Sequence, residues 1–580
     1  MAACDLTSAF AAWACRRCGL AVAAVILALA TAGCDAEIHE RPLAASGASP
    51  RTGPVLVDVA REVGLEFRHG AFRYGVSPDA AAMMGGGLCW LDFDRDDRLD
   101  LFVVNGYALG ERDEWLAAGG LPTTRLFRND KGRFVDVTAE MGAGIALRGQ
   151  GCVAADLDRD GDTDLYVTGA DRSTLLWNER GRRFAEAGEE AGVGVFGWHT
   201  GAAAGDVDGD GWPDLVVGGY VDQANPNPNA TQGFPNTYLG RRDLLFLSNG
   251  RENGRVTFRE AGKLAGLEVA DFGYALGVLL ADFERDGDLD VYVANDTTPN
   301  RLYENVPWPG GVEADPAGLG FRLEERAAAA GVADAGAGMG VAAGDWNEDG
   351  RTDLFVSNSR GQVHAVYASN PRDANDPSFA DVRAELGPDL SGSTGWGVHW
   401  LDLDLDTDLD LLLANGDVPV SDLAGDAEPL RAYRNLAADG RPGRFEEATW
   451  ELGLDAVGPL LARGSAAADY DDDGDLDVAI LELGGRLVLL ENRAATGNRL
   501  TVQLAGAPPG AEVTAVLPDG RRLRRAVHAG SSYLSSEDPR LHFGLGAATA
   551  VRTLVVRWPG GAETRVTDVR ANRLVEVEAP

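Results

Sequence analysis

A nine-residue pattern, D-x-D-x-D-G-x-x-D, recurs seven times in this 580-residue chain and constrains its fold more than any other feature. The clearest copy reads DLDRDGDTD from Asp156 to Asp164, and the others begin at Asp92, Asp206, Asp282, Asp345, Asp402 and Asp469. Carboxylates at positions 1, 3 and 5 fall on one side of a tight turn, glycine at position 6 lets the chain bend, and position 9 returns a last carboxylate. Such an oxygen cage suits a hard cation, Ca2+ above all, with the carbonyl of position 7 as a backbone ligand. The helix-loop-helix calcium loop is a different object, because it needs a bidentate Glu at position 12, where the first two copies have Val103 and Val167. A strand, not a helix, is expected after each copy.

The side-chain ligands follow copy by copy. They are Asp92, Asp94, Asp96 and Asp100; Asp156, Asp158, Asp160 and Asp164; Asp206, Asp208, Asp210 and Asp214. The later copies supply Asp282, Glu284, Asp286 and Asp290; Asp345, Asn347, Asp349 and Asp353; Asp402, Asp404, Asp406 and Asp410; Asp469, Asp471, Asp473 and Asp477. The chain has 52 basic and 90 acidic residues, a net charge of -38, and 27 of the 90 acids sit at these positions. Seven Ca2+ ions would bring the charge from -38 to -24. The acidity opposes binding to nucleic acid or to an anionic membrane surface.

From cage to cage the spacing is 64, 50, 76, 63, 57 and 67 residues, room for about four short strands with their loops. Each unit shows glycine-rich entry to the cage, a β-branched run after it, and an apolar stretch ending in Asn: Asn129, Asn178, Asn249, Asn305, Asn370, Asn435 or Asn492. A Phe-led strand then follows, at Phe134, Phe184, Phe258, Phe321, Phe379 and Phe445. Four antiparallel strands per unit, repeated radially, describe an all-β fold, a seven-bladed β-propeller over residues 54–493. The seventh Phe-led strand is missing, and Val55 to Ala60 is the expected substitute, completing the last blade and removing a free edge. Residues 494–580 alternate apolar and polar positions between turns and read as a small β-sandwich-like domain.

The cages and their strands resemble the FG-GAP or VCBS repeats of integrin α-subunit propellers and of bacterial surface proteins. The tail is similar to an ASPIC/UnbV domain, on Ala529-Gly-Ser-Ser-Tyr-Leu-Ser535, Asp538-Pro-Arg-Leu-His-Phe-Gly-Leu-Gly546 and Val555-Val-Arg-Trp-Pro559. Their order resembles the cartilage acidic protein family and its bacterial relatives. The departures are Asp97 and Thr407 at cage glycine positions, Glu284 and Asn347 at position 3, and a shortened stretch around Ala507 to Ala511. Losing the glycine makes the first and sixth cages the expected weak ones. The resemblance implies cages on one rim of the ring and the loops between second and third strands on the other.

At the N-terminus, Arg16 and Arg17 precede the apolar run Leu20 to Ala30, too short to span a bilayer but fit for a secretory signal over residues 1–33. The following Thr31-Ala-Gly-Cys34 resembles a bacterial lipoprotein box, making Cys34 the lipidation site, with residues 34–53 as a flexible tether. Only Cys89 and Cys152 remain in the body. They stand three and four residues ahead of their cages, on opposite faces of their strands, and two buried unpaired thiols are expected.

No nucleophile-base pair, cofactor fingerprint or histidine cluster emerges, with His199 and His399 each standing alone. The expected function is therefore a binding, adhesion or scaffold module of the bacterial cell envelope that meets a protein or glycan and touches membrane only through its lipid. An envelope enzyme with its active site at the propeller channel is the alternative. The longest loop, Tyr220 to Asp243, is the candidate recognition surface.

Overall fold

The computed structural model describes residues 38–43, 55–267, 273–370, 376–493 and 497–580. Cys34 and the signal segment lie outside the described residues. The second repeat illustrates the common unit. Gly149–Ala155 runs into the cage, Asp164–Gly169 leaves it, and Arg172–Asn178 and Phe184–Glu186 complete an antiparallel four-stranded sheet. Seven such sheets follow one another. The last, Ala462–Ala468, Asp477–Glu482 and Leu487–Asn492, takes its fourth strand from Leu56–Asp58, with Leu56 paired to Asn492.

The strand after each cage is buried on both faces, which is why it reads as a continuous apolar run. In the second sheet Leu165 and Val167 pack toward the first, while Tyr166 packs toward the third. Seven apolar clusters separate successive sheets. One sets Trp90 and Leu101 of the first sheet against Ala466 and Tyr470 of the seventh, so the cycle closes and the fold is propeller-like.

Face-to-face packing also corrects the reading of the cysteines. Cys89 and Cys152 form a disulfide, with Cα atoms 6.2 Å apart. Their offset puts them on opposite faces of equivalent strands, and neighbouring sheets present opposite faces to each other. The spacing that argued against pairing is the spacing that pairing between adjacent sheets requires.

Position 9 of each cage has a second role. Asp164, almost fully buried, accepts from Leu157 N at 3.1 Å and from Asn178 N at 2.9 Å, tying the loop to the end of the third strand. Asn178 then sends its Nδ2 to the carbonyl of Phe93, position 2 of the preceding cage, at 2.8 Å. Asn129 reaches Tyr470 O at 2.7 Å, Asn305 Val207 O at 2.8 Å, Asn435 Trp346 O at 2.9 Å, and Asn492 Leu403 O at 3.0 Å. Two of the sequence landmarks are misplaced by one residue. In the third and fifth sheets the position belongs to Ser248 and Ser369, whose amides bond Asp214 and Asp353 at 2.8 Å each, while Asn249 and Asn370 are exposed. Serine is too short to bridge to the next sheet.

The tail is built from two four-stranded sheets around Leu500, Val502, Val513, Leu554 and Trp558. Ile38–Pro42, expected to be part of a tether, is instead an edge strand of the tail, paired to Arg573–Val577. Between Arg522–Ala526 and Leu541–Gly546 the tail sends a loop into the centre of the ring, where Tyr533 and Leu534 join the apolar cluster of Trp198, Tyr220, Trp396 and Met84.

The inter-sheet bonds can be tested against the misplaced landmark. Asn178→Ala leaves the buried Phe93 carbonyl without its partner and should cost about 1–3 kcal/mol in urea denaturation. Asn249→Ala, at the surface, should stay within roughly 0.5 kcal/mol.

Candidate metal centres

Each cage is a hairpin turn that enters the left-handed region twice. In the second copy Arg159 has φ 55° and Gly161 has φ 86°. Asp97 (φ 64°) and Thr407 (φ 99°) hold the same conformation where the first and sixth copies lack glycine. The turn also supports its neighbours, because Arg95 donates to Asp160 O at 2.9 Å and Arg159 to Gly211 O at 2.7 Å, linking successive cages around the rim.

Three carboxylate oxygens lie within 4.8 Å of one another in five of the seven loops. The groups are Asp92, Asp94 and Asp96; Asp156, Asp158 and Asp164; Asp206, Asp208 and Asp210; Asp402, Asp404 and Asp406; Asp469, Asp471 and Asp477. The first and sixth copies, singled out as weak, are therefore gathered. Among the described residues the fourth and fifth copies are the ones without such a group. These two are also the copies that depart at position 3. Asn347 offers an amide in the fifth. In the fourth, position 3 is the longer Glu284, one of whose carboxyl oxygens is buried without a hydrogen-bond partner.

The gathered acids are poorly served by protein alone. Asp206 Oδ1, Asp402 Oδ1 and Asp469 Oδ1 are buried with no hydrogen-bond partner. Burial first, then neighbouring carboxylates, push Asp158 and Asp208 up to about 6 and Asp471 to about 7. Asp100, at position 9 of the first cage, is pushed up to about 8, mainly by burial. The donor set is all oxygen, crowded and short of counter-charge, and it fits Ca2+ in these five loops. A bound Ca2+ would supply positive charge and a cross-link between the first two strands; the protein's part is to hold the oxygens together.

The strands are antiparallel, so the cages share one rim and the connections from second to third strand occupy the other. The tail sits on the cage rim. Arg540 donates to Asp472 at 2.7 Å and to Asp469 O at 2.6 Å, Arg521 donates to Thr407 at 2.6 Å, and Gly546 N donates to Leu405 O at 2.9 Å. Its central loop meets the innermost strand of every sheet. Trp90, Cys152, Ala204 and Val341 donate backbone bonds to Ser536, Leu534, Ala529 and Ser532 at 2.8–3.1 Å. Val398 N reaches Ser532 Oγ at 3.0 Å, Asp538 N reaches Ala467 O at 2.9 Å, and His528 Nδ1 lies 3.2 Å from Leu280 O.

His399, read as isolated, joins this interface. Its Nδ1 contacts Glu537 and its Nε2 lies 2.6 Å from Ser465 Oγ, while Ser531 donates to Glu537 at 2.9 Å. Ser465 and His399 are both buried, so this chain of polar groups ties ring to tail. Asp538 is held between Arg540 at 2.8 Å and His542 at 2.9 Å, and the Arg540 guanidinium foremost keeps its carboxyl well below the usual range against the effect of burial. The sequence offered a signal for the hub in the run of small polar residues around Tyr533, but not its destination.

Comparison with known proteins matches this architecture. The FG-GAP-like repeat family matches residues 92–167 and 156–217, and the ASPIC and UnbV family matches residues 492–580. The chain carries FG-GAP-like repeats and an ASPIC/UnbV domain. Cartilage acidic protein 1 of Mus musculus is 26% identical over 349 residues, covering 56% of this chain and 48% of that protein. The human protein is 26% identical over 373 residues, covering 54% and 55%. The chain thus spans about half the length of the relatives it matches. Among solved structures, an Agrocybe aegerita lectin that recognises non-reducing terminal N-acetylglucosamine overlaps 69% of this chain and 86% of its own at 14% identity and a TM-score of 0.36. No helix among the described residues is long and apolar enough to cross a membrane.

Raised carboxylate pKa values give the metal-free FG-GAP-like loops a definite pH response. An acid that binds its proton more tightly when folded adds stability below its unfolded pKa, near 4, and loses it as pH rises through the folded value of about 6 to 7. In chelator, thermal melting should therefore occur at higher temperature at pH 5 than at pH 8. With millimolar Ca2+, which needs the ionised form, the order should reverse.

Proposed function

We propose that the chain is an exported, calcium-binding propeller that acts as a binding or scaffold module at the cell envelope, anchored through a lipid on Cys34. The observation that carries this reading is the division of labour between the rims. The tail covers the cage rim and its loop fills the centre of the ring, so the opposite rim is left to meet a partner. That rim bears the Tyr220 to Asp243 segment, which is not a plain loop but holds the hairpin Val221–Pro226 and Tyr238–Gly240. Phe234 pins it against Trp198 and Tyr220, with ring centroids 6.1 and 5.8 Å apart. The exposed rings of Tyr74 and Phe196 belong to connections on the same rim.

Calcium in this reading acts at a distance. It stiffens the ring from one side, and a protein or glycan partner is met on the other, where pre-ordered surface lowers the cost of binding. Fold alone leaves an enzymatic role conceivable for any propeller. The filled centre supports the binding reading over a reaction in the channel.

The test is affinity capture of envelope components with and without Ca2+, using the full chain and a variant whose hairpin is replaced by a short Gly-Ser turn. Capture should fail with the variant while its Ca2+-dependent melting stays nearly unchanged, since shortening a loop has a small entropic effect. Capture that survives the replacement would move the recognition surface elsewhere. Mass analysis of the mature N-terminus should find acyl groups on Cys34, and a different free N-terminus would remove the anchor.

A further inference from the structure

The fourth cage lacks the gathered acids that fit five of the other loops to a calcium ion. A cation of the tail already stands at its edge. Arg557, from the strand Ala550–Arg557, places Nη1 3.6 Å from Asp282 Oδ2 and donates from Nη2 to Arg285 O at 3.1 Å. Asp282 is position 1 of the cage and Arg285 is its first left-handed residue. The guanidinium therefore grips the turn at two points. Asp282 is also engaged from inside the loop, where its two oxygens accept from Asp286 N and Gly287 N at 3.0 Å each.

The grip is part of a larger contact. Arg285 extends toward Glu512 of the tail, 3.9 Å away, and Glu512 is itself paired with Arg524, which donates to Thr352 of the fifth loop at 2.8 Å. Glu512 and Arg557 are register partners on adjacent tail strands, so one rigid sheet presents an acid and a base to the same turn. A tail arginine also approaches the seventh cage, where Arg499 lies 4.0 Å from Asp473, yet the acids of that cage remain gathered. Arg540 holds the seventh turn as well, through Asp472 and the carbonyl of Asp469. Among the described residues, the fourth is the loop in which ungathered acids coincide with a tail guanidinium ion-paired to the position-1 carboxylate.

We propose that the fourth loop is the tail's docking clasp, in which the guanidinium of Arg557 takes the counter-charge role that a metal ion takes in the gathered cages. This rests on the calcium reading of those cages. Replacing a mobile ion by a covalently tethered cation makes one docking point of the tail independent of Ca2+. The other loops can then empty and refill while the tail stays in register on the rim.

The experiment uses the full chain and two readouts. Ion counting by equilibrium dialysis against Ca2+ should show no loss for Asp282→Asn and a loss of one ion for Asp208→Asn. Hydrogen exchange at saturating Ca2+ should show residues 282–290 of Arg557→Gln opening roughly fivefold faster or more, with residues 206–214 unchanged. Loss of one ion from Asp282→Asn, or unchanged exchange in Arg557→Gln, overturns the proposal. If no protein binds Ca2+, the calcium reading falls, and the Arg557 exchange measurement still decides the clasp.

Discussion

The buried carboxylate at position 9 of each cage must find hydrogen-bond donors, and the way it finds them organises the ring. In the second sheet Asp164 takes one amide from its own turn and one from the end of the third strand, so the loop cannot form without the sheet. The residue that supplies the second amide, Asn178, spends its side chain on the preceding cage. Turn, strand and neighbouring sheet are thereby coupled through two side chains. Because the bonds are buried, breaking any one leaves an unsatisfied group and costs more than a surface contact. The repeat of the sequence is a repeat of this coupling.

A ring closed in this way still has an inner problem. The innermost strands face the centre with free backbone groups on one edge, and such edges demand partners. The loop from His528 to Asp538 meets the demand for all seven sheets, with small residues where backbones approach closely. A side chain on Gly87 would meet the carbonyl of Leu534, and one on Gly530 would meet Ala202 O at 2.2 Å. Tail and ring are consequently one packed body, and the tail acts as an axle.

That arrangement makes the two rims unequal. The cage rim combines concentrated negative charge with the arginines of the tail, Arg540, Arg499 and Arg557 among them. The far rim is free of that burden and carries the hairpin pinned by Phe234. The disulfide between the first two sheets adds a covalent tie across one sheet interface.

Much of this was legible in the chain itself. The nine-residue spacing located every cage, and the missing seventh Phe-led strand pointed to Leu56–Asp58 as the closing strand, because both are local patterns whose physics lies within a few residues. The same local view misjudged what depends on neighbours. Cys89 and Cys152 were separated by strand face and joined by the meeting of sheets, and Asn249 and Asn370 matched a letter pattern but not the register. Spacing along the chain determines which atoms a turn can bring together. Which sheet, which tail strand or which distant arginine stands opposite is decided only when remote segments pack, as Arg557 does against Asp282, 275 residues earlier.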